Sequence, residues 1–211
     1  MLRESKLGNR YLRWVEEVPV PFFSRRDIKP NHLTFLALFF SFLTIPAFLY
    51  ALWLGGIGVL ISGALDTMDG GLARKAGQKT RSGAFLDSVL DRYSDFLAVF
   101  GIWLYFSVRP IPFRSLTTAL LFLLLTGSFL VSYARARGEG LGGSTSAGYF
   151  SRAERVVCLG TGSILNDLLT ALFPAQIWLA DHYFFIALLI LLTAGTHLNA
   201  FQRIRYLVKH L

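Results

Sequence analysis

The sequence predicts an all-α integral membrane protein with six transmembrane helices and an N-terminal amphipathic juxtamembrane helix. Hydrophobic residues make up 54% of the 211-residue chain, and its mean hydropathy is +0.50. Several apolar runs reach the roughly 20 residues that a helix needs to cross a bilayer core of about 30 Å. The basic residues gather at alternate ends of these runs, as they do when a chain crosses a membrane repeatedly.

Residues 1–32 are predicted to be a juxtamembrane segment that precedes the first span. Apolar side chains such as Tyr11 and Trp14 are interleaved with basic ones such as Arg10 and Arg13. A helix with one apolar and one basic face is suited to the headgroup layer of a membrane. The segment has no compact apolar stretch before a small-residue cleavage site, so we do not expect a cleavable signal peptide.

Residues 33–211 are predicted to form one transmembrane domain. We place its six helices at about residues 33–54, 56–76, 84–107, 114–136, 153–173 and 177–201. The second and third helices are less apolar than the others because both contain aspartates. Cys158 is the single cysteine of the sequence, which leaves no basis for a disulfide or a cysteine metal site.

The positions of Lys and Arg predict the orientation of the chain. Eighteen of these 21 residues lie before the first span, between spans two and three, between spans four and five, or after the last. We therefore expect both termini on the cytoplasmic side of the cell membrane. The net charge of +8 reflects this topology and attraction to anionic headgroups, and we do not interpret it as nucleic-acid binding.

Four aspartates interrupt the second and third spans. Asp66 and Asp69 are three residues apart and Asp87 and Asp91 are four apart, so each pair projects from one helical face. Since the two spans are antiparallel, we expect the pairs to converge near the cytoplasmic surface. Four carboxylates at that depth are costly unless cations neutralise them. Oxygen ligands without nearby His or Cys favour Mg²⁺ or Mn²⁺, and two such ions could bind a diphosphate.

Small residues and one arginine accompany these aspartates. Gly70, Gly71, Ala73 and Gly83 leave the helix backbone bare, which allows a flat or phosphorylated group to lie against it. Arg74 offers a fixed cation for phosphate oxygens. We assign Gly63, which lies three residues before Asp66 in the second span, to helix packing.

These residues together resemble the signature of a known family of membrane enzymes, the CDP-alcohol phosphotransferases. The matching pattern, called the signature below, is Asp66-x-x-Asp69-Gly70-x-x-Ala73-Arg74-x8-Gly83-x3-Asp87-x3-Asp91. The resemblance extends to six transmembrane helices and to Pro30-Asn31-x-x-Thr34 before the first span. It implies a homodimeric transferase in which two divalent ions hold the diphosphate of a CDP-linked donor. An acceptor hydroxyl attacks the β-phosphorus, and CMP leaves.

The resemblance also implies a role for each signature residue. Asp66, Asp69 and Asp87 would be the principal metal ligands. Asp91 would lie near the second metal and act as the general base, since the attacking hydroxyl must lose a proton. The residues that would bind the CDP donor are Asn31, Thr34, Asp66, Asp69, Gly70, Ala73, Arg74, Gly83 and Asp87.

Two segments resemble the branch of this family that makes inositol phospholipids. One runs from Asp91 to Asp95, and the other is Ser132-Tyr133-Ala134-Arg135-Ala136-Arg137 at the end of the fourth span. The arginines of the second segment, together with Arg155 and Arg203, would bind the phosphate of inositol phosphate. The resemblance thus implies a phosphatidylinositol-phosphate or archaetidylinositol-phosphate synthase that uses CDP-diacylglycerol or its archaeal ether analogue.

Other interpretations stay open at the level of sequence. The reaction could instead join CDP-inositol to inositol phosphate, or the acceptor could be glycerol phosphate or serine. Arg92 and Asp95 are three residues apart in one span and could neutralise each other as a structural pair or belong to the site. In another class of protein, intramembrane aspartates belong to cation transporters, which would carry ions and release no CMP.

Overall fold

The structure is a computed structural model that describes residues 6–26, 29–75, 77, 80–143, 150–176 and 182–211. The described residues form helices and their connections. The helices are α1 (Lys6–Glu17), α2 (Pro19–Ser24), α3 (Pro30–Tyr50), α4 (Leu52–Lys75), α5 (Arg81–Ser107), α6 (Arg114–Gly140), α7 (Arg152–Leu172) and α8 (Tyr183–His210).

The six long helices, α3 to α8, correspond to the six predicted spans, and the differences lie at their ends. α3 begins at Pro30 rather than residue 33, because proline suits the first turn of a helix. It ends at Tyr50, since Ala51 is extended with φ −155° and ψ 148°. α8 continues to His210, beyond the predicted end of the last span at about residue 201. Its last turns are helical but polar, so hydropathy alone did not include them in the span. The predicted start of the last span, residues 177–181, lies outside the described residues.

Four of the described helices are long and apolar enough to cross a membrane: α3, α6, α7 and α8. α4 and α5 contain 24 and 27 residues, which corresponds to about 36 and 40 Å of helix. Their length would suffice, but both carry aspartates and basic residues. Length and composition therefore support a membrane span for α3, α6, α7 and α8. That α4 and α5 also cross the membrane stays a prediction.

The long helices share one apolar core. α3 lies along α4 and α5, α4 packs against α7, and α6 packs against α8. Fully buried side chains from five of these helices meet in the core: Phe48, Leu52, Ile102, Leu121, Leu124, Phe185 and Leu189. The core lies between the helices and leaves the carboxylates of α4 and α5 near one end.

Glycines allow α4 and α7 to approach closely. A Cβ at Gly56 would lie 2.6 Å from the carbonyl oxygen of Gly160, and one at Gly63 would lie 2.6 Å from Val156 Cγ1. The packing role assigned to Gly63 is thereby confirmed. This contact holds the first turns of α7 against the half of α4 that carries the aspartates.

The two short N-terminal helices pack against α4. Val15 and Val20 are fully buried, while Trp14 is 49% exposed and Phe22 is 51% exposed. The chain breaks between α1 and α2 just before Pro19, as proline at the start of a new helix favours. The location of α1 in the headgroup layer stays a prediction.

Candidate active site

Three signature carboxylates from two helices come together. One oxygen atom from each of Asp66, Asp69 and Asp87 lies within 4.8 Å of the others. Asp66 and Asp69 share a face of α4 because they are three residues apart, and Asp87 stands on the neighbouring α5. We call these three residues the aspartate cluster. Close carboxylates repel one another, and a hard divalent cation relieves that repulsion.

Asp69 gives the strongest sign that the cluster needs a cation. Its side chain is buried, with 5% exposed, and its Oδ2 has no hydrogen-bond partner among the described residues. Thr34 of α3 lies within hydrogen-bonding reach of the same carboxylate. A buried anion with an unpaired oxygen costs several kcal/mol unless it is neutralised. The residues present therefore fit a divalent metal ion.

Asp91 lies beside the aspartate cluster and is held by a basic residue of α7. Arg152 Nη1 donates a hydrogen bond to Asp66 at 2.7 Å and lies 2.8 Å from Asp91 Oδ1. Its Nε donates to Asp95 at 3.1 Å. One guanidinium thus connects three carboxylates of α4 and α5, and its charge offsets part of their repulsion.

Asp95 pairs with α7 rather than with its own helix. Besides Arg152, it accepts a hydrogen bond from Arg155 Nη2 at 3.4 Å. Arg92 contacts Asp91 at 3.7 Å and donates to the carbonyl oxygen of Ser88. The pairing of Arg92 with Asp95 considered from the sequence is therefore wrong, because α7 supplies two closer cations for Asp95.

A cavity of about 630 Å³ opens beside the aspartate cluster. Its walls come from the segment before α3 and from α3, α4 and α5, and we call it the α3–α5 pocket. The lining residues are Lys29, Pro30, Asn31, Thr34, Asp69, Gly70, Ala73, Arg74, Thr80, Gly83, Ala84 and Asp87. Of the residues predicted to bind the CDP donor, all but Asp66 line this pocket. Asp66 lies three residues before Asp69 on α4 and contributes to the aspartate cluster.

Gly83 of this pocket is also part of the start of α5. Its backbone N–H donates to Thr80 Oγ1 at 3.0 Å, which caps the helix. A Cβ at Gly83 would lie 2.9 Å from the same oxygen and 3.9 Å from Asn31 Oδ1. Glycine at this position therefore keeps both the helix cap and the pocket wall in place.

Two of the four arginines predicted to bind the acceptor are partly or fully buried. Arg155 is 3% exposed, and its Nη1 has no hydrogen-bond partner among the described residues. Arg203 Nη1 donates to the carbonyl oxygen of Val131 at 2.9 Å. Both side chains point from different helices, α7 and α8, into the same end of the bundle that holds the aspartates.

The other two predicted arginines lie on the last turns of α6. Arg135 is exposed and forms an ion pair with Glu139 at 2.8 Å. Arg137 is exposed near the end of the same helix. Arg135 and Arg155 both lie near enough to Arg203 to repel its charge. The structure thus places Arg135 and Arg155 near Arg203, while Arg137 is exposed on α6.

Sequence reasoning missed Arg152 and Thr80 as residues of the site. Arg152 directly follows Ser151, which forms a capping box with Glu154 at the start of α7. The sequence Ser-x-x-Glu marks that helix start and could have placed Arg152 in its first turn. No feature of the sequence indicated which aspartates it contacts, because Asp66 precedes it by 86 residues.

Comparison with known proteins identifies the family. The sequence matches the model of the CDP-alcohol phosphatidyltransferase family over residues 28–194. The chain belongs to this family and is a CDP-alcohol phosphotransferase, a transferase of phospholipid synthesis.

Two of the relatives are named as synthases of inositol phospholipid phosphates. Archaetidylinositol phosphate synthase of Pyrococcus horikoshii is 38% identical over 141 residues, which cover 66% of this chain and 71% of the relative. Phosphatidylinositol phosphate synthase of Mycobacterium tuberculosis is 36% identical over 138 residues, which cover 61% of this chain and 59% of that enzyme.

The fold matches a solved structure along almost its whole length. The crystal structure of the M. tuberculosis phosphatidylinositol phosphate synthase with bound CDP-DAG has a TM-score of 0.76 and 25% identity, and the match covers 92% of this chain and 94% of that one. A second crystal structure of that enzyme contains manganese and citrate. Together with the aspartate cluster, it supports divalent metal binding here.

Proposed function

We propose that this enzyme transfers the phosphatidyl or archaetidyl group of a CDP-linked lipid to a hydroxyl of inositol phosphate and releases CMP. The observation that carries the proposal is the α3–α5 pocket, where Asp69 and Asp87 share one cavity with Arg74 and Asn31. Its volume of about 630 Å³ is within the usual range for small-molecule sites. The CDP-DAG bound to the structural relative supports such a donor.

Two Mg²⁺ or Mn²⁺ ions are the proposed cofactors. Asp66, Asp69 and Asp87 would be the principal ligands, and Asp91 would lie near the second ion. Carboxylate oxygens are suited to both metals. When bound, the ions would neutralise the diphosphate and polarise its phosphoryl oxygens.

Asp91 is the proposed general base. The acceptor hydroxyl gives its proton to the Asp91 carboxylate while its oxygen forms a bond to the β-phosphorus of the donor. The bond between that phosphorus and the bridging oxygen breaks, and CMP leaves with the electron pair. Arg152, 2.8 Å from Asp91, restricts the orientation of the base, and Arg74 binds diphosphate oxygens.

The arginines at the same end of the bundle are proposed to bind the acceptor phosphate. Arg155 carries a buried Nη1 without a partner among the described residues, and such a group favours an anion. Arg203 lies near Arg155 and also near Arg135, and Arg137 is a further exposed arginine on α6. The functions of the inositol-phosphate relatives support this choice of acceptor.

We further propose that the site and both termini lie on the cytoplasmic side of the cell membrane and that the enzyme is a homodimer. The distribution of basic residues supports the orientation. Labelling of single cysteines from either side of intact vesicles tests it, and light scattering of the purified protein tests the dimer.

A CMP-release assay tests the reaction. Purified protein with Mg²⁺ receives CDP-diacylglycerol, its archaeal ether analogue or CDP-inositol, each with inositol phosphate, inositol, glycerol phosphate or serine. We expect CMP release with a CDP-linked lipid and inositol phosphate. Turnover with glycerol phosphate or serine instead would refute the acceptor assignment, and turnover with CDP-inositol alone would refute the lipid donor.

A further inference from the structure

The N-terminal helices lie outside the part of the chain that matches the family, yet they touch the signature. The family match begins at residue 28, whereas α1 and α2 end before it and pack on α4. Val15 and Val20 are buried with Leu33 and Leu72 in a second small apolar cluster. α1 is thereby anchored against the helix that carries Asp66, Asp69 and Arg74.

Gly71 permits this close packing. A Cβ at Gly71 would lie 3.1 Å from Val20 Cγ2 and 3.7 Å from Val15 Cγ1. The position lies between Gly70 and Ala73, and the signature leaves it unspecified. Its small size therefore serves the contact with α1 and α2 rather than the pocket.

Tyr11 joins α1 to α4 close to the aspartate cluster. Its hydroxyl lies within hydrogen-bonding reach of Thr67, whose own hydroxyl donates to the carbonyl oxygen of Gly63 at 2.9 Å. Partial burial raises the pKa of the Tyr11 phenol, the hydrogen bond with Thr67 opposes this rise, and the nearby charge of Asp66 adds to it. α1 thus reaches within electrostatic range of the cluster.

Glu16 makes the most specific contact between α1 and the signature. Its Oε1 accepts hydrogen bonds from Arg74 Nε at 3.3 Å and from Arg74 Nη2 at 3.1 Å. These two donors form one edge of the guanidinium. The third nitrogen, Nη1, lies 3.5 Å from the place that a Cβ of Gly70 would take, beside the α3–α5 pocket. One edge of Arg74 is therefore held by α1 while the remaining nitrogen lies at the pocket wall.

We propose that Glu16 is a positioning residue that holds Arg74 for the diphosphate of the donor, so that α1 forms part of the donor site. This inference rests on the proposed function, since it assumes that Arg74 binds the diphosphate. An arginine side chain has many rotamers, and fixing it before the ligand arrives lowers the entropy cost of binding. The side chains of Arg74 and Glu16 are 38% and 48% exposed, so solvent weakens the pair and limits the effect to about fivefold.

Alanine and glutamine variants of Glu16 test the proposal in the purified full-length enzyme. Glu16→Ala is expected to raise the KM for the CDP-linked lipid about two- to fivefold with little change in kcat or in the KM for the acceptor. Glu16→Gln keeps a carbonyl oxygen that can accept from Arg74, so its KM should lie between those of the wild type and Glu16→Ala. The adjacent, exposed Glu17 provides the matched control, and Glu17→Ala should behave as the wild type.

A double-mutant cycle with Arg74 separates positioning from general stability. If Glu16 acts through Arg74, Glu16→Ala should have no further effect in an Arg74→Ala background. Additive effects of the two changes would overturn the proposal, and so would equal KM values for Glu16→Ala and Glu17→Ala. Tighter donor binding in both Glu16 variants would show that Glu16 repels the diphosphate, which also overturns it.

Equilibrium binding of CDP-diacylglycerol in the presence of Mg²⁺ gives a readout that does not depend on turnover. Weaker binding in Glu16→Ala than in Glu17→Ala supports the positioning role of Glu16, even if no acceptor yields CMP. The absence of CMP release would refute only the proposed reaction. Equal binding in the two variants, with a wild type that releases CMP, refutes the positioning role alone. Equal melting temperatures of the two variants would show that Glu16→Ala does not destabilise the protein more than Glu17→Ala does.

Discussion

The two halves of the candidate site are built in different ways. The proposed donor side, which consists of the aspartate cluster and the α3–α5 pocket, comes mainly from the signature on α4 and α5, two helices that follow each other in the chain. The proposed acceptor side comes from three helices, α6, α7 and α8. Three of its arginines also contact other groups of the protein: Arg155 contacts Asp95, Arg135 contacts Glu139, and Arg203 contacts the Val131 carbonyl. The carboxylates of the aspartate cluster lie within 4.8 Å of one another, whereas the arginines are dispersed over three helices and also make structural contacts.

This difference predicts how sharply each half responds to substitution. Loss of a clustered carboxylate should have a large effect, because the three carboxylates lie within 4.8 Å of one another and are proposed to bind the same ions. A change on the acceptor side should have a smaller effect, because the positive charge is shared among several residues and part of it balances carboxylates.

The largest effect is expected from Asp87→Ala. Its carboxylate belongs to the aspartate cluster, and its loss should remove both turnover and Mg²⁺-dependent binding of the CDP-linked lipid. Equilibrium binding with and without chelator measures this. Glu17→Ala, an exposed acidic change outside the pocket, serves as the control. Donor binding in Asp87→Ala that still required Mg²⁺ would contradict the ligand assignment.

Asp91→Asn should reduce turnover by about 10²- to 10⁴-fold, the usual contribution of a general base. Donor binding should persist, because Asp91 is not one of the three clustered carboxylates. Single-turnover CMP release and donor binding are measured on the same preparation. Equal loss of both would show that Asp91 is needed to bind the donor and would remove its assignment as base.

Gly83→Ala should weaken the donor side without touching the metal ligands. The added Cβ would lie 2.9 Å from Thr80 Oγ1, and displacement of the helix cap should lower the free energy of unfolding by roughly 1 kcal/mol. Because Thr80 and Gly83 line the α3–α5 pocket, the donor KM should rise as well. Gly140, where a Cβ would meet nothing within 4 Å, provides the matched control as Gly140→Ala. An unchanged donor KM in Gly83→Ala would mean that the pocket wall tolerates the shift.

The smallest effect is expected from Arg137→Ala on the acceptor side. Since Arg137 is exposed, the KM for inositol phosphate should rise only about two- to fivefold, with no change in the donor KM. Arg205 is an exposed arginine at the end of α8, and Arg205→Ala removes the same charge. Equal effects of the two substitutions would reduce the role of Arg137 to general surface charge.

Local spacing explains why the donor side was predictable. Asp66 and Asp69 share one face of α4 through the three-residue helical spacing, and only five residues, 76–80, separate α4 from the α5 helix that carries Asp87. The number and approximate position of the long helices also followed from the apolar runs. Their ends did not, because α8 continues to His210 with polar side chains that hydropathy counts against a span.

Partners far apart in sequence explain what was missed. Arg152 contacts Asp66 across 86 residues and Asp95 across 57, and Glu16 contacts Arg74 across 58. No periodicity links such positions. The alternative that Arg92 pairs with Asp95 was wrong for the same reason, since the cations that contact Asp95 come from α7 and reach it only after that helix has packed.

The sequence by itself therefore determined the helical membrane class and the positions of the aspartates on α4 and α5, because helical spacing is a local property of the chain. The resemblance to the family added eight of the residues that line the α3–α5 pocket. The tertiary structure alone decided which cation stands beside each carboxylate. That choice depends on the close approach of α4 and α7 at their glycines and on the docking of α1 through Val15. Charges separated by many residues meet only after those helices have packed.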